Sequence, residues 1–136
     1  MAAIKCRVYF AFYGYHFDPD DITRLLGLKP TKVDASGARS GLDKPVVSSW
    51  EFSTDTASED IDVFKLTDSL IKQLEPVKEK IQQVAKSHNL SPRIGVVLVL
   101  PVEKNAPLPD LGFGARTIQF LADIGAFIDV DYQLSW

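Results

Sequence analysis

Apolar and polar residues alternate strictly along two segments, one near each end of the chain. In the first segment the apolar side chains stand at even positions: Ile4, Cys6, Val8, Phe10 and Phe12. In the last segment they again stand at even positions: Ile128, Val130, Tyr132, Leu134 and Trp136. A period of two is typical of a half-buried strand, so both segments are predicted to be strands with one face on the core.

Two further strands are predicted in the middle of the chain. Residues 46–53 are extended in character, although the alternation there is imperfect because Val47 and Trp50 differ in parity. Residues 93–100 are apolar at both parities, which is the pattern of a strand covered on both faces. We therefore expect the strand at 93–100 to lie in the middle of the sheet.

Helices are predicted between these strands from their caps and their periodicity. Asp18 can cap a helix that begins at Pro19 and ends at Gly27. From Asp60 to Ala85 apolar residues recur at intervals of three and four, which predicts one long helix with a kink or break at Pro76. A last helix is predicted between Leu111 and Gly125, although glycines at 112 and 114 weaken its start.

The order strand, helix, strand, long helix, strand, helix, strand predicts a single α+β domain over residues 1–136. We expect a two-layer sandwich, with helices on one face of a mainly antiparallel sheet of four or five strands. A ferredoxin-like arrangement would accommodate this order. The segment from Thr31 to Pro45 is long for a connection and leaves room for one further short strand.

Composition and charge exclude several functional classes. The net charge of −3 gives no general attraction for a phosphate backbone, so a nucleic-acid partner is not expected. The longest apolar run, residues 94–100, is far shorter than the ~20 residues of a membrane-spanning helix, and no membrane partner is expected. The single thiol, Cys6, cannot form an internal disulfide, which fits a cytoplasmic protein.

The sequence contains no pattern typical of catalysis. The carboxylates at 18, 20 and 21 are accounted for by helix capping and the helix dipole, which makes a cation site there unnecessary. His16, His88 and Cys6 lie in unrelated segments without metal-ligand spacing, and no serine has a base placed beside it by sequence. We therefore predict no catalytic residue, metal or cofactor, and an enzyme is the less favoured reading.

Two surfaces remain as candidates for binding. On the first strand, Tyr9 and Tyr13 share the polar face with Lys5 and Arg7, and tyrosine is enriched at interfaces, so Tyr9 and Tyr13 are predicted to dock a second subunit or another protein. If the first and last strands are neighbours, those cations would instead pair with the aspartates at 129 and 131.

The second candidate surface is the loop from Thr31 to Pro45. Lys32 and Arg39 in this loop could contact an anionic small molecule, but the loop lacks the glycine and lysine spacing of a phosphate-binding loop. The accompanying candidate ligand residues are Tyr15, His16 and Trp50. A core position remains the competing interpretation for Trp50.

One resemblance covers nearly the whole chain. The run Phe17-Asp18-Pro19-Asp20, then Ile22-Thr23 and Leu25-Leu26-Gly27-Leu28-Lys29-Pro30-Thr31, resembles the opening of a bacterial family catalogued as domain of unknown function 4279. Gly37, Trp50 and an ending similar to Leu121, Gly125-Ala126, Asp129, Asp131 and Tyr132 support it, whereas Gly112-Phe113-Gly114 departs from the expected helix start. The resemblance implies a shared fold and small bacterial cytosolic proteins, and it implies no activity.

The functional expectation is a small non-catalytic interaction module that binds another protein or a second copy of itself. The alternative is a domain that binds a small anionic ligand, or a weak enzyme, through the loop from Thr31 to Pro45.

Overall fold

Five strands form one sheet in the computed structural model, which describes residues 4–39, 46–103, 105 and 107–135. The strands are β1 (Lys5–Tyr15), β2 (Lys32–Asp34), β3 (Val47–Ser53), β4 (Ser91–Pro101) and β5 (Phe127–Ser135). Their order is β2-β3-β1-β4-β5, and all neighbours are antiparallel except β4 and β5, which are parallel. The predicted α+β class with a mainly antiparallel sheet is confirmed.

Helices fill the long connections between the strands. They are α1 (Pro19–Leu26), α2 (Ser36–Arg39), α3 (Val63–Leu74), α4 (Lys78–Ser87) and α5 (Ala115–Ile124). A 3₁₀ turn at Glu75–Val77 separates α3 from α4. Because Pro76 has no N–H and clashes with the preceding turn, the single long helix of the sequence pattern is broken there, as expected.

The ends of α1 follow the predicted capping residues. The side chain of Asp18 accepts a hydrogen bond from the N–H of Asp20 at 3.0 Å, and Pro19 occupies the first helical turn. Gly27 takes the left-handed conformation with φ of 70° and donates to the carbonyl of Thr23. These contacts satisfy backbone groups that a short helix would otherwise leave unpaired.

The helices pack on one face of the sheet, which we call the covered face. The even positions of β1 and β4 meet the helices in one core, whose largest fully buried side chains include Phe10, Phe12 and Trp50. The rings of Phe10 and Phe12 lie 5.1 Å apart in an edge-to-face contact. The predicted two-layer arrangement is therefore confirmed.

The position of β4 differs from the expectation. The middle of the sheet is β1, which is hydrogen-bonded to both β3 and β4, so the strand at 93–100 is interior but not central. Its second apolar row is not covered by helices, because Val97 packs with Tyr9 and Ala11 of β1 in a separate small cluster. Apart from the short helix α2, the elements from β1 to β4 follow the β-α-β-β-α-β order of a ferredoxin-like domain, and α5 and β5 are added after them.

The segment from Thr31 to Pro45 contains the additional strand that its length allowed. Lys32–Asp34 forms β2, which pairs antiparallel with β3 and makes five strands instead of four. The short helix α2 follows at once, and its Gly37 packs against Ser48. The rest of the segment, residues 40–45, lies outside the described residues.

Candidate functional site

The second face of the sheet carries the candidate site, and we call it the open face. Side chains of successive strand residues point to opposite faces, so the residues that are not in the helical core lie together here. The strand registers place the following residues on it: Lys32, Ser49, Glu51, Ser53, Arg7, Tyr9, Ala11, Tyr13, Arg93, Gly95, Val97, Asp129 and Asp131. Among the described residues, the apolar cluster on this face is built from strands alone.

Tyr9 lies flat against the sheet. Its ring occupies the space above Gly95, where an added Cβ atom would come within 2.0 Å of the ring carbon Cζ. Tyr9 is consequently only 7% exposed, and it forms a small apolar cluster with Ala11 and Val97. Of the two tyrosines predicted to form an interface, Tyr13 therefore has the more accessible ring, and Tyr9 is largely buried against the sheet.

Arg93 lies between two aromatic rings on this face. Its guanidinium carbon is 3.9 Å from the centroid of the Tyr13 ring and 5.0 Å from that of Phe127. One Nη atom approaches the carboxylate of Asp129 at 4.0 Å, while the buried Nε finds no acceptor among the described residues. Cation–π contacts on both sides hold the guanidinium in place and leave part of it available to a partner.

Arg7 and Glu51 form the other charged pair of the open face. Nη1 of Arg7 donates to Oε2 of Glu51 at 3.3 Å, and Glu51 is only 8% exposed. The guanidinium of Arg7 also lies 5.1 Å from the centroid of the Tyr9 ring. The Glu51 carboxylate is thus largely buried and paired with an arginine.

Tyr13 keeps its proton at neutral pH. The pKa of Tyr13 is raised to about 12, chiefly by burial, with smaller contributions from nearby Tyr9 and Glu51 and from a hydrogen bond with Tyr9, while Arg93 opposes them. The phenol is therefore a hydrogen-bonding group and not a proton acceptor.

Two shallow depressions flank Arg7 at one end of the open face. One, of about 450 Å³, is lined by Lys32, Glu51 and the hydroxyls of residues 53, 54 and 56. The other, of about 440 Å³, is lined by Lys5, Val97 and Gln133. Arg7 and Thr56 line both. Lys5 and Lys32 form no ion pair within the described ranges, although Asp55 also lines the first depression.

The structure does not assemble the five predicted ligand residues into one site. Trp50 lies on the covered face with no exposed surface, and its indole N–H donates to Oγ1 of Thr23 at 3.0 Å, because the hydroxyl satisfies an otherwise buried donor. Lys32 lies on the opposite, open face beside Glu51. The competing core interpretation of Trp50 is the one that the packing supports.

Tyr15, His16 and Arg39 lie towards the other end of β3. Tyr15 is 61% exposed and pairs with Val47, four residues along β3 from the partner of Lys32, which corresponds to about 13 Å. His16 follows with a positive φ of 60°, and the two rings are 6.4 Å apart. Arg39 ends α2.

The pairing of cations between β1 and β5 does not occur, because β4 lies between them. Arg7 pairs with Glu51 and Asp129 with Arg93 instead. Sequence reasoning missed Glu51 and Arg93 as members of the site. The usable signal was Gly95 inside an apolar strand pattern, since a strand glycine often marks a close approach by another group.

Other chemistry is limited in the described part of the chain. It contains no group of three or more His, Cys, Asp or Glu side chains that could hold a metal ion. Burial raises the pKa of the Cys6 thiol, which disfavours the reactive thiolate. Among the helices that the structure describes, none has the length and apolarity needed to cross a membrane.

Comparison with known proteins identifies the family. The family model described as domain of unknown function (DUF4279) matches residues 4–135. The chain therefore belongs to this family, as the resemblance of its opening and ending segments indicated. No curated protein and no solved structure matches the chain.

Proposed function

We propose that this member of the DUF4279 family is a small non-catalytic interaction module that binds a protein partner on its open face. The observation that carries the proposal is the asymmetry of the sheet. Helices pack on one face, whereas the other presents a preformed layer of aromatic and guanidinium groups in the described residues. Because the acidic and basic groups at the centre of this layer are paired, the face is suited to recognition.

The layer has the features of a binding hot spot. Tyrosine and arginine dominate the energetics of many interfaces, and Tyr13 and Arg93 are stacked here before any partner arrives. Phe127, which is 46% exposed, extends the same stack towards the edge of the sheet. Side chains held in one arrangement lose little conformational entropy on binding, which favours affinity.

The proposed location is the cytoplasm of a bacterial cell. Cys6 is buried, and a lone thiol is compatible with a reducing compartment. The family resemblance stated for the sequence supports the same location.

The two depressions beside Arg7 favour a second candidate function, the binding of a small anionic molecule. Lys5 and Lys32 would supply charge, and the hydroxyl of Thr56, which lines both depressions, would supply a hydrogen bond. Lys32 is the one residue of the predicted loop site that this alternative retains, and the ligand would lie on the open face instead of in the loop.

The interaction proposal is tested by capture from an extract of the source cells, followed by calorimetry with the purified partner. Tyr13→Ala should weaken binding by a factor of about ten or more, as expected of a hot-spot tyrosine. Leu25→Ala is the matched control, since Leu25 is a 42% exposed apolar residue on α1. Equal affinity of wild type and Tyr13→Ala, or a comparable loss in Leu25→Ala, would overturn the proposal.

Native mass spectrometry of the freshly purified protein tests the second candidate. A retained small molecule that disappears in a Lys5→Ala/Lys32→Ala variant would favour the ligand-binding function. A chain mass without any adduct, together with partner binding that survives the same double substitution, would leave the protein-interaction function as the better account.

A further inference from the structure

β5 forms one edge of the sheet and presents unpaired backbone groups. The carbonyl of Ser135 accepts a hydrogen bond from the N–H of Val102 at 3.1 Å, so odd-numbered residues of β5 point their backbone groups towards β4. Backbone groups alternate along a strand, and the even-numbered residues therefore point away from the sheet. The outward set belongs to Ile128, Val130, Tyr132 and Leu134, and these backbone groups face no further strand in the described part of the chain, because β5 is the edge strand.

This edge lacks the usual protection against pairing. Proteins guard exposed edges with lysine, proline, bulges or very short strands. β5 is nine residues long, contains neither lysine nor proline, and runs in unbroken register with β4. Tyr132 and Leu134 are 59% and 60% exposed on the covered-face side, whereas Val130 of the same strand packs against the core. The edge is therefore a long template for another strand, apolar on its covered-face side and acidic at Asp129 and Asp131 on its open-face side.

We propose that β5 pairs antiparallel with β5 of a second copy of this chain, around a two-fold axis at Tyr132. Hydrogen bonds form only where outward-pointing residues face each other, so even-numbered residues must lie opposite even-numbered residues. In this register Tyr132 faces its own copy and Val130 faces Leu134 of the copy. The first contact brings two exposed Tyr132 rings together on the covered-face side, and the second places the exposed Leu134 beside Val130, which is partly buried against the core.

The charges of β5 select this register among the symmetric ones. An axis at Val130 would place Asp129 opposite Asp131 of the copy, and an axis at Asp131 would place that carboxylate opposite itself. Like charges directly opposite each other destabilise a strand pair. With the axis at Tyr132, Asp131 faces Gln133 and Asp129 faces Ser135, so no two carboxylates are opposed. It is the longest symmetric register over residues 127–135 that has this property.

The same pattern favours a second copy over an unrelated strand. Asp129 and Asp131 lie in the first half of β5, and the neutral hydrogen-bonding residues Gln133 and Ser135 lie in the second half. When two copies of β5 run antiparallel, the acidic half of each copy therefore lies opposite the neutral half of the other. Nε2 of Gln133 already donates to Oδ2 of Asp131 at 3.2 Å within the strand, which shows that these side chains are compatible in length. Across the two-fold axis the same donor and acceptor would meet twice.

Pairing would join two five-stranded sheets into one of ten strands, with both helical layers on the same side. The two open faces would then form one continuous surface. Asp129 belongs both to β5 and to the ion pair with Arg93, but Tyr13 lies on β1 away from this edge, so Tyr13→Ala and Tyr132→Pro test the two proposals separately.

Sedimentation equilibrium tests the dimer directly. Wild type should sediment at twice the chain mass of 15.1 kDa. Tyr132→Pro should raise the dissociation constant by about tenfold or more, because it removes an outward donor and leaves the bonds to β4 intact. Tyr132→Phe, which keeps the donor and the ring, should remain dimeric. A monomeric wild type, or a Tyr132→Pro dimer as tight as wild type, would overturn the proposal.

Cysteine cross-linking tests the register in a chain that keeps its fold. Residues 131 and 133 of opposite copies form a close pair in the proposed register, within disulfide range. A mixture of Asp131→Cys and Gln133→Cys should therefore cross-link faster than either variant alone, while buried Cys6 stays unmodified. Faster cross-linking of Asp131→Cys alone, or of Gln133→Cys alone, would place the axis elsewhere and contradict the proposed register.

Discussion

The two faces of the sheet use the same strands for different purposes. On the covered face, even-numbered residues of β1 pack against helices, and Phe10 and Phe12 have no exposed surface. On the open face, odd-numbered residues of the same strand contact β4 directly. The Tyr9 ring lies over Gly95 of β4, and the guanidinium of Arg93 from β4 lies over the Tyr13 ring. One strand thus supplies both a hydrophobic core and a polar, preorganised surface, because its side-chain period is two.

The comparison has an energetic consequence. Fully buried side chains on the covered face remove large apolar surfaces from water, which is the main source of stability. Contacts on the open face contribute less to the free energy of unfolding, because they are cation–π pairs and partly exposed ion pairs. Substitutions on the covered face should therefore lower the free energy of unfolding more than substitutions on the open face.

The largest effect is expected at Trp50 on the covered face. Trp50→Ala removes a fully buried indole and leaves a cavity beside Phe10 and Phe12, which costs about 3–5 kcal/mol of the free energy of unfolding. Urea denaturation measures the loss. Tyr15→Ala, at a 61% exposed position, is the control and should stay within about 0.5 kcal/mol. A small loss at Trp50 would show that the covered face is not the main core.

Gly95→Ala should give the next largest effect and tests how tightly the open face is built. The added methyl would overlap the Tyr9 ring, so the ring must move at a cost of about 1–3 kcal/mol. Gly112→Ala is the matched control, because nothing lies within 4 Å of its added Cβ. In the double variant Tyr9→Ala/Gly95→Ala the two costs should not add. Additive losses would mean that the ring does not lie over Gly95.

Much of the covered face could be predicted from sequence because it depends on local patterns. Alternation identified the even face of β1 as core, Asp18 and Gly27 marked the ends of α1, and Pro76 marked the break between α3 and α4. Each of these follows from the geometry of a strand or helix and from the residue itself. No knowledge of the neighbouring strand is needed.

The open face could not be predicted in the same way, because it depends on register. Arg7 meets Glu51 and Tyr13 meets Arg93 only because β3 and β4 both flank β1, at offsets that no local pattern specifies. The sequence grouped Lys5 and Arg7 correctly on one face but could not name their partners. It also left open which strand lies beside β5, and because β4 lies between β1 and β5, the condition for pairing with Asp129 and Asp131 is not met.

A smaller loss is expected when the buried ion pair of the open face is broken. Arg7→Met leaves Glu51 without its partner and should cost about 1–2 kcal/mol, less than for a fully buried pair because the Arg7 side chain is about one-third exposed. The double variant Arg7→Met/Glu51→Gln should recover most of this loss, since no uncompensated charge remains. Thermal unfolding of the three proteins measures the recovery. A double variant as unstable as the single one would show that packing, not charge, holds this region.

The smallest effect is a pH dependence at Tyr13, and it tests whether the open face is a packed layer or a solvated one. In the folded chain the pKa of Tyr13 is raised from 10.0 to about 12, mainly by burial. Below pH 10 the phenol is protonated in both folded and unfolded chains, so its contribution to stability is fully present. Between pH 10 and pH 12 the unfolded chain releases the proton while the folded chain retains it, and this contribution declines as the pH rises.

Phenolate absorbance against pH, compared between wild type and Tyr13→Phe, isolates this ionisation. The wild type should show one phenol that ionises near pH 12, and Tyr13→Phe should lack it. Tyr15→Phe is the control and should retain that step, because Tyr15 lies at the exposed end of the same strand. If Tyr13 instead ionised near its ordinary pKa, the ring would be open to water and the stack with Arg93 would not persist in solution. The face would then have to form on binding, and partner affinity would carry the cost of ordering it.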